Sequence, residues 1–211
     1  MSQPLTLTSL PLFPLAAVLL PGGQLALRVF EVRYLDMVRK CQQAGAPFGV
    51  VCLRSGTEVR KAGAPQEQLH SVGTLAHITQ LQSPQPALIH LECEGTQRFC
   101  IQRSHVLPHG LWVADVQLLP ADRPTVVPPH LMMASAALAR VLASLHERPG
   151  PKPVAQPTAD QLGDCSWVAN RWCELLPVPQ ELKQQLMQLD NPLVRLELVA
   201  DVLDRTGIAR A

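Results

Sequence analysis

The sequence predicts an α+β protein: an N-terminal barrel or curled sheet with one inserted helix, followed by a C-terminal helical bundle. Three observations carry this. Apolar residues recur with period two over most of the first 120 residues, one segment in that region has a helical period, and after Pro120 the period becomes helical throughout. The boundaries expected are 1–120 for the β part and 121–211 for the helical part.

The strands come first. Leu25, Leu27 and Val29 alternate with Ala26 and Arg28; Ala87, Ile89, Leu91 and Cys93 alternate with Leu88, His90 and Glu92; Trp112, Ala114, Val116 and Leu118 alternate with Val113, Asp115 and Gln117. Phe48 to Leu53, Val72 to Ile78 and Phe99 to Ile101 are further candidates, bounded by Gly, Pro, Ser or charged residues. Alternation of this kind implies half-buried antiparallel strands, and a set of six or seven closes most economically as a barrel or curled sheet, which hides its edges.

The inserted helix spans Glu31 to Gln43. Tyr34, Met37, Val38 and Cys41 fall at i, i+3, i+4 and i+7, so one apolar stripe packs on the sheet and Arg33, Asp36, Arg39 and Lys40 face water. Gly45 is its expected stop. Before it, Pro21-Gly22-Gly23 fits a tight turn in which Pro presets φ and Gly accepts a positive one.

In the C-terminal part, Leu131, Ala134, Leu138, Leu142 and Leu145 form one helical stripe, ended by Pro149-Gly150-Pro151-Lys152-Pro153. A second helix begins after Asp164 and carries Val168, Trp172 and Leu175, and a third starts near Pro179 with Leu182, Leu186 and Leu189. Asn191 and Pro192 are an N-cap and first-turn pair for a fourth, whose Leu193, Leu196, Ala200 and Leu203 share a face. Trp167 and Trp172, five apart, are expected on different sides of one helix. Four such helices make a small bundle.

Composition narrows the function. A chain of 211 residues with 47% hydrophobic content buries a core, and a formal net charge of +1 provides no global field to draw it onto nucleic acid or anionic lipid. Neither nucleic acid nor membrane is an expected partner. Arg28, Arg33, Arg39, Lys40, Arg54, Arg60 and Lys61 concentrate basic charge, but Glu31, Asp36 and Glu58 dilute it, and 4 Phe, 3 Trp and 1 Tyr are too few for a stacking platform. The apolar run Leu10–Leu20 lacks a basic residue before it, and Pro11 and Pro14 interrupt it, so it does not read as a secretory leader. A cytoplasmic location is expected.

Catalytic signatures are missing. There is no GxSxG elbow, GxxxxGK phosphate loop or GxGxxG. His146-Glu147 starts an HExxH match, but Gly150 stands at the second ligand position, and His90-Leu91-Glu92 lacks the PCxxC half of a deaminase motif. The 6 Cys include no CxxC pair, so buried reduced thiols are expected and zinc or redox centres are not. The expectation is a non-enzymatic chain with no cofactor and no metal.

Taken together, LPLFPLAAVLLPGGQLALRVFEVRYLDMV (Leu10–Val38), FGVV (Phe48–Val51), VGTLAHI (Val72–Ile78) and EGTQRF (Glu94–Phe99) resemble the N-terminal substrate-binding domain of Lon proteases, especially the small bacterial proteins consisting of that domain alone. The helical tail from Trp167 through Leu203 is similar too, and the resemblance runs over roughly Leu10 to Arg205. It implies a PUA-like β pseudo-barrel followed by a helical bundle. It also implies a module that binds unfolded or partner polypeptides through an apolar groove edged by charges; an accessory role beside a separate ATP-dependent protease is the alternative, and RNA binding by the barrel a third. The ATPase and Ser-Lys protease modules of a full Lon protease have no counterpart among these motifs, nor has the cysteine-rich domain of the cereblon branch. Val32 replaces the Pro that many relatives carry. The residues expected to contact peptide are Glu31, Arg33, Tyr34 and Arg98, with Glu31, Arg33 and Arg98 forming an ion-pair set between helix start and strand.

Overall fold

A computed structural model describes residues 5–59, 63, 65–147 and 156–207. By its internal contacts the chain divides into two compact units, Met1–Ala121 and Asp122–Ala211.

The first unit contains β1 (Thr6–Leu15), β2 (Gln24–Val29), α1 (Val32–Ala44), β3 (Phe48–Ser55), β4 (Gln68–Leu69), β5 (Val72–Gln85), β6 (Leu88–Val106) and β7 (Trp112–Leu118). Pairing runs β1-β7-β6-β5-β3, and β3 also pairs with β1, so these five strands close a ring; β2 hangs on β6 and β4 on β3. The pseudo-barrel with one inserted helix is therefore present.

Two details differ from the sequence expectation. The β1–β3 ladder is parallel, with Leu12 opposite Gly49 and Leu15 opposite Cys52. The chain between these strands runs through β2 and α1, a crossover that can return it in the same direction, whereas a tight hairpin cannot. The two expected strands around Leu91 and Phe99 are one strand of 19 residues. In Glu94-Gly95-Thr96, where a glycine beside a strand permits a bulge or a close crossing, Gly95 continues β6 while its N–H donates to the Gly23 carbonyl and its carbonyl accepts from the Gly22 N–H. A β-carbon there would overlap the Leu20 carbonyl oxygen, so the residue is glycine because a loop crosses the strand at contact distance. That loop turns at Pro21-Gly22: the Gly23 N–H bonds the Leu20 carbonyl at 2.9 Å and Gly22 has φ 74°, as a type II turn requires.

β1 feeds two apolar clusters. Phe13 and Leu15 join Tyr34, Met37, Val38 and Cys41 of α1, together with Phe48 and Ile89. Leu10 and Leu12 join Val51, Phe99, Trp112 and Val116. The stripe expected on α1 is buried, and Gly45 in the left-handed region closes the helix. Its Arg33, expected to face water, is buried as well.

The second unit contains a 3-10 turn (Pro129–Leu131) leading into α2 (Met132–Glu147), then α3 (Ala159–Leu162), α4 (Cys165–Leu175), α5 (Gln180–Gln188) and α6 (Pro192–Thr206). The one-turn α3 is an addition to the four helices expected; Thr158 and Gln161 cap it reciprocally. Asp164 caps α4 and Asn191 caps α6 with Pro192 in the first turn. The Pro-rich stretch 149–153 lies outside the described residues. Trp172 is buried, its Nε1 donating to the Ala134 carbonyl at 2.9 Å, whereas Trp167 is half-buried beneath the Arg171 guanidinium. No helix among the described residues is long and apolar enough to cross a membrane.

Candidate functional site

The chain leaves β2 at a buried Val29 and enters α1 at Val32, with Phe30 and Glu31 between. Phe30 is 54% exposed and Val32 73% exposed, large values for apolar side chains. Both are off the buried stripes. Phe30 has the opposite parity to Leu25, Leu27 and Val29, and Val32 lies across the helix from Met37 and Cys41. The result is an apolar pair held in water by rigid elements on either side of a carboxylate.

Arg33 fixes that carboxylate. Its Nη2 lies 2.9 Å from Glu31 Oε2, its Nε donates to the same oxygen at 3.2 Å, and its Nη1 donates to the Gly110 carbonyl at 2.7 Å. The Arg33 side chain is only 7% exposed and that of Glu31 23%, so the guanidinium is shielded while the carboxylate stays partly open, and the pair ties the start of α1 to the turn before β7. The guanidinium also sits 4.6 Å from the Tyr34 ring centre. Tyr34 is buried and stacked on Phe13, ring centres 4.1 Å apart and planes within 11°. Burial, aided by Glu31, Glu67 and Glu58 and opposed by Arg33, pushes its hydroxyl up to about 12.

Two depressions meet at Phe30 and Glu31. One, open and of about 530 Å³, is floored by Arg33, Pro108, His109 and Gly110 with Val32 at its side. The other, of about 300 Å³, runs between β2 and Phe13, Leu15, Tyr34, Glu58 and Val59, the last also exposed.

The structure therefore brings Glu31, Arg33 and Tyr34 together and places Arg98 elsewhere. Val29 pairs with Ile89, so Glu31 lies beyond that end of the β2–β6 ladder; Arg98 is further along β6, past Gln24 opposite Glu94, and pairs with Thr74. Its buried position and the bond from the Leu119 N–H to its carbonyl give it a place in the sheet between β5 and β7. The ion pair at the helix start is Glu31 with Arg33. Sequence reasoning emphasised polar groups here and missed Phe30, Val32 and Val59; being out of phase marks Phe30 and Val32 in the sequence without showing that they stay uncovered, and Val59 lies outside any periodic segment.

Other sequence candidates have structural surroundings. His90 and Glu92 share the exposed face of β6, in a shallow depression with Arg28, Gln80 and Gln82. His146 Nδ1 is 3.0 Å from the Leu142 carbonyl on its own helix. Five of the cysteines are buried, and burial pushes the Cys93 and Cys173 thiols up to about 12, which removes thiolate reactivity. Among the described residues no three His, Cys, Asp or Glu side chains gather as a metal site.

Residues 9–205 match the family described as the ATP-dependent protease La (LON) substrate-binding domain. The chain belongs to that family. Its LON substrate-binding fold is similar to the crystal structure of a Lon N-terminal domain protein from Xanthomonas campestris, with 34% identity, a TM-score of 0.71 and coverage of 92% of this chain and 98% of that one. The N-terminal domain of Mycobacterium avium complex Lon protease shares the fold at 18% identity and TM-score 0.58, covering 92% of this chain and 96% of that chain. No curated protein has significant similarity to the sequence.

Proposed function

We propose that this LON substrate-binding chain is a cytoplasmic, non-enzymatic module that holds exposed apolar segments of unfolded or partner polypeptides at the β2–α1 junction. The observation that carries this reading is the exposure of Phe30 and Val32 on either side of Glu31, over two depressions. Apolar side chains kept in water on a fixed backbone offer apolar surface for a ligand to bury, and the preset backbone lowers the ordering cost of binding. Glu31, preset by Arg33, supplies the polar edge, while Arg33 and Tyr34 act by holding it rather than by contact. Arg98 contributes to the sheet.

Phe30→Ser with Val32→Ser tests the proposal. Fluorescence anisotropy with a labelled, carboxymethylated and permanently unfolded model protein should show binding by the parent and a loss of about tenfold or more in the variant, with unchanged circular dichroism. Equal binding by both proteins sinks this site. A second reading, cooperation with a separate ATP-dependent protease, is supported by the family description; co-purification of such a protease from lysate is its test.

A further inference from the structure

We infer that β2 takes up a client segment as an added strand, and that the preferred segment is extended, apolar at alternate positions and provided with a basic residue. This rests on the polypeptide-binding reading above and assigns its geometry.

Among the described residues, Gln24–Val29 pair with β6 along one edge only, each from Gln24 opposite Glu94 to Val29 opposite Ile89. Every second residue of an edge strand directs its N–H and C=O away from its partner, so the other edge presents a ladder to be completed. The cleft of about 300 Å³ lies on that edge. It is lined by Ala26 through Glu31 and by no described residue of β6, the strand on the paired side of β2, which sets it on the other side. Buried Phe13, Leu15 and Tyr34 back its far wall, and the exposed Val59 offers the apolar surface that a side chain of an entering strand would touch.

Two further facts choose the occupant. A second copy is a poor fit, since two six-residue edges overlap over about 20 Å, too little for the roughly 1,200 Å² of a stable interface. Charge points to a basic client through Glu58: Glu31 also lines the cleft but is paired with Arg33, whose field at Tyr34 opposes the glutamates, and Arg28 lines it too but shares the neighbouring depression with Glu92. Glu58 is exposed, and one of its oxygens accepts from the Ala16 N–H at 2.7 Å, leaving lone pairs for an ammonium or guanidinium group.

The probe is a fluorescein-labelled peptide, Lys-Val-Thr-Phe-Thr-Val-Thr, with two relatives N-methylated on alternate amides of one edge or of the other, and one with Lys replaced by Glu. The full chain should bind the parent peptide. One N-methylated relative should lose about tenfold or more and the other little, because only one peptide edge faces β2. The Glu peptide should bind several-fold more weakly, and hydrogen exchange at β2 amides should slow only with a competent peptide. Equal binding of both N-methylated peptides overturns strand addition but leaves side-chain capture of clients intact. Binding of the unfolded protein with none of the parent peptide has the same meaning. Failure of both probes removes the client-binding reading too. Concentration-dependent protection of β2 without peptide gives the edge to a second copy and overturns the assignment, and a Glu peptide that binds as well as the parent overturns its charge preference.

Discussion

Arg195 on α6 grips Asp122 through two bonds, Nη1 to Oδ2 at 2.6 Å and Nη2 to Oδ1 at 3.4 Å, with the two side chains only 1% and 9% exposed. The remaining guanidinium hydrogens are also used: Nε donates to the Leu186 carbonyl at 3.0 Å, Nη1 to Asn170 Oδ1 at 3.0 Å, and Nη2 to the Leu189 carbonyl. All five N–H groups thus have acceptors, drawn from α4, α5, the residue after α5 and the segment before the 3-10 turn. A buried cation so satisfied is tolerable, but one that loses its carboxylate is not. Asp122→Ala should therefore lower the stability of the helical unit by about 3–5 kcal/mol, measured by urea unfolding followed by far-UV circular dichroism. Asp122→Asn, which keeps an acceptor, should cost less, and Arg195→Lys should not restore the wild-type midpoint because a point charge cannot serve five directions.

A second prediction concerns the loop crossing at Gly95. An alanine β-carbon would overlap the Leu20 carbonyl oxygen and stand 2.9 Å from Leu19 Cγ, and both neighbours belong to a loop fixed by Gly22 and Gly23 bonds to Gly95. Overpacking of this kind costs about 1–3 kcal/mol, and backbone against backbone places it at the upper end. Gly95→Ala should shift the denaturation midpoint of the β unit accordingly, with no change in net charge or surface to complicate the comparison. An unchanged midpoint would mean the loop moves aside freely.

What the sequence made legible follows from which interactions are local. The α1 stripe, the Pro21-Gly22 turn and the Asn191-Pro192 start of α6 depend on residues within a few positions of each other, so periodicity and capping chemistry disclose them. The parallel β1–β3 closure depends on pairing across an intervening strand and helix, and nothing local marks it. Arg33 illustrates the limit within one site: at its helical position it belongs to the wet face, yet a carbonyl 77 residues away, Gly110, draws it into the interior. The number of alternating strands pointed to a barrel or curled sheet and the family resemblance to a pseudo-barrel, whereas the exposed Phe30 and Val32 needed coordinates because an apolar residue out of phase can be covered by any distant segment.

The division between holding and touching residues at the junction yields a third prediction. Phe30 and Val32 are exposed, so Ser at both positions should change stability by about 0.5 kcal/mol or less while removing most client affinity. Tyr34, stacked on Phe13 and buried, is the opposite case: Tyr34→Ala should cost about 3–5 kcal/mol of stability, and its loss of binding should follow from unfolding of the junction. Arg33→Ala should also destabilise, since it strands the Gly110 carbonyl and frees Glu31. Thermal melts and anisotropy on the same samples separate these effects. If the serine variant melts as early as the tyrosine variant, Phe30 and Val32 are structural after all.

The last prediction is a pH dependence with a defined sign. Burial pushes the Glu174 carboxyl from its ordinary 4.5 up to about 7, although Arg171 Nη2 lies 2.7 Å from its Oε1 and Lys183 is close enough to oppose the shift. In the unfolded chain the group ionises near 4.5, so between about 4.5 and 7 the folded state holds a proton that the unfolded state has released. Stability therefore falls as pH rises through that window and levels off above it: ionising Glu174 costs the fold more than it costs the open chain. Glu174→Gln cannot ionise, and its stability should lack this component. Urea midpoints of the helical unit measured from about pH 5 to about pH 8 should decline in the parent relative to the variant, with most of the divergence complete by about pH 8. A difference of the opposite sign, the parent gaining on the variant as pH rises, would show that the Arg171 ion pair outweighs the cost of burial at Glu174.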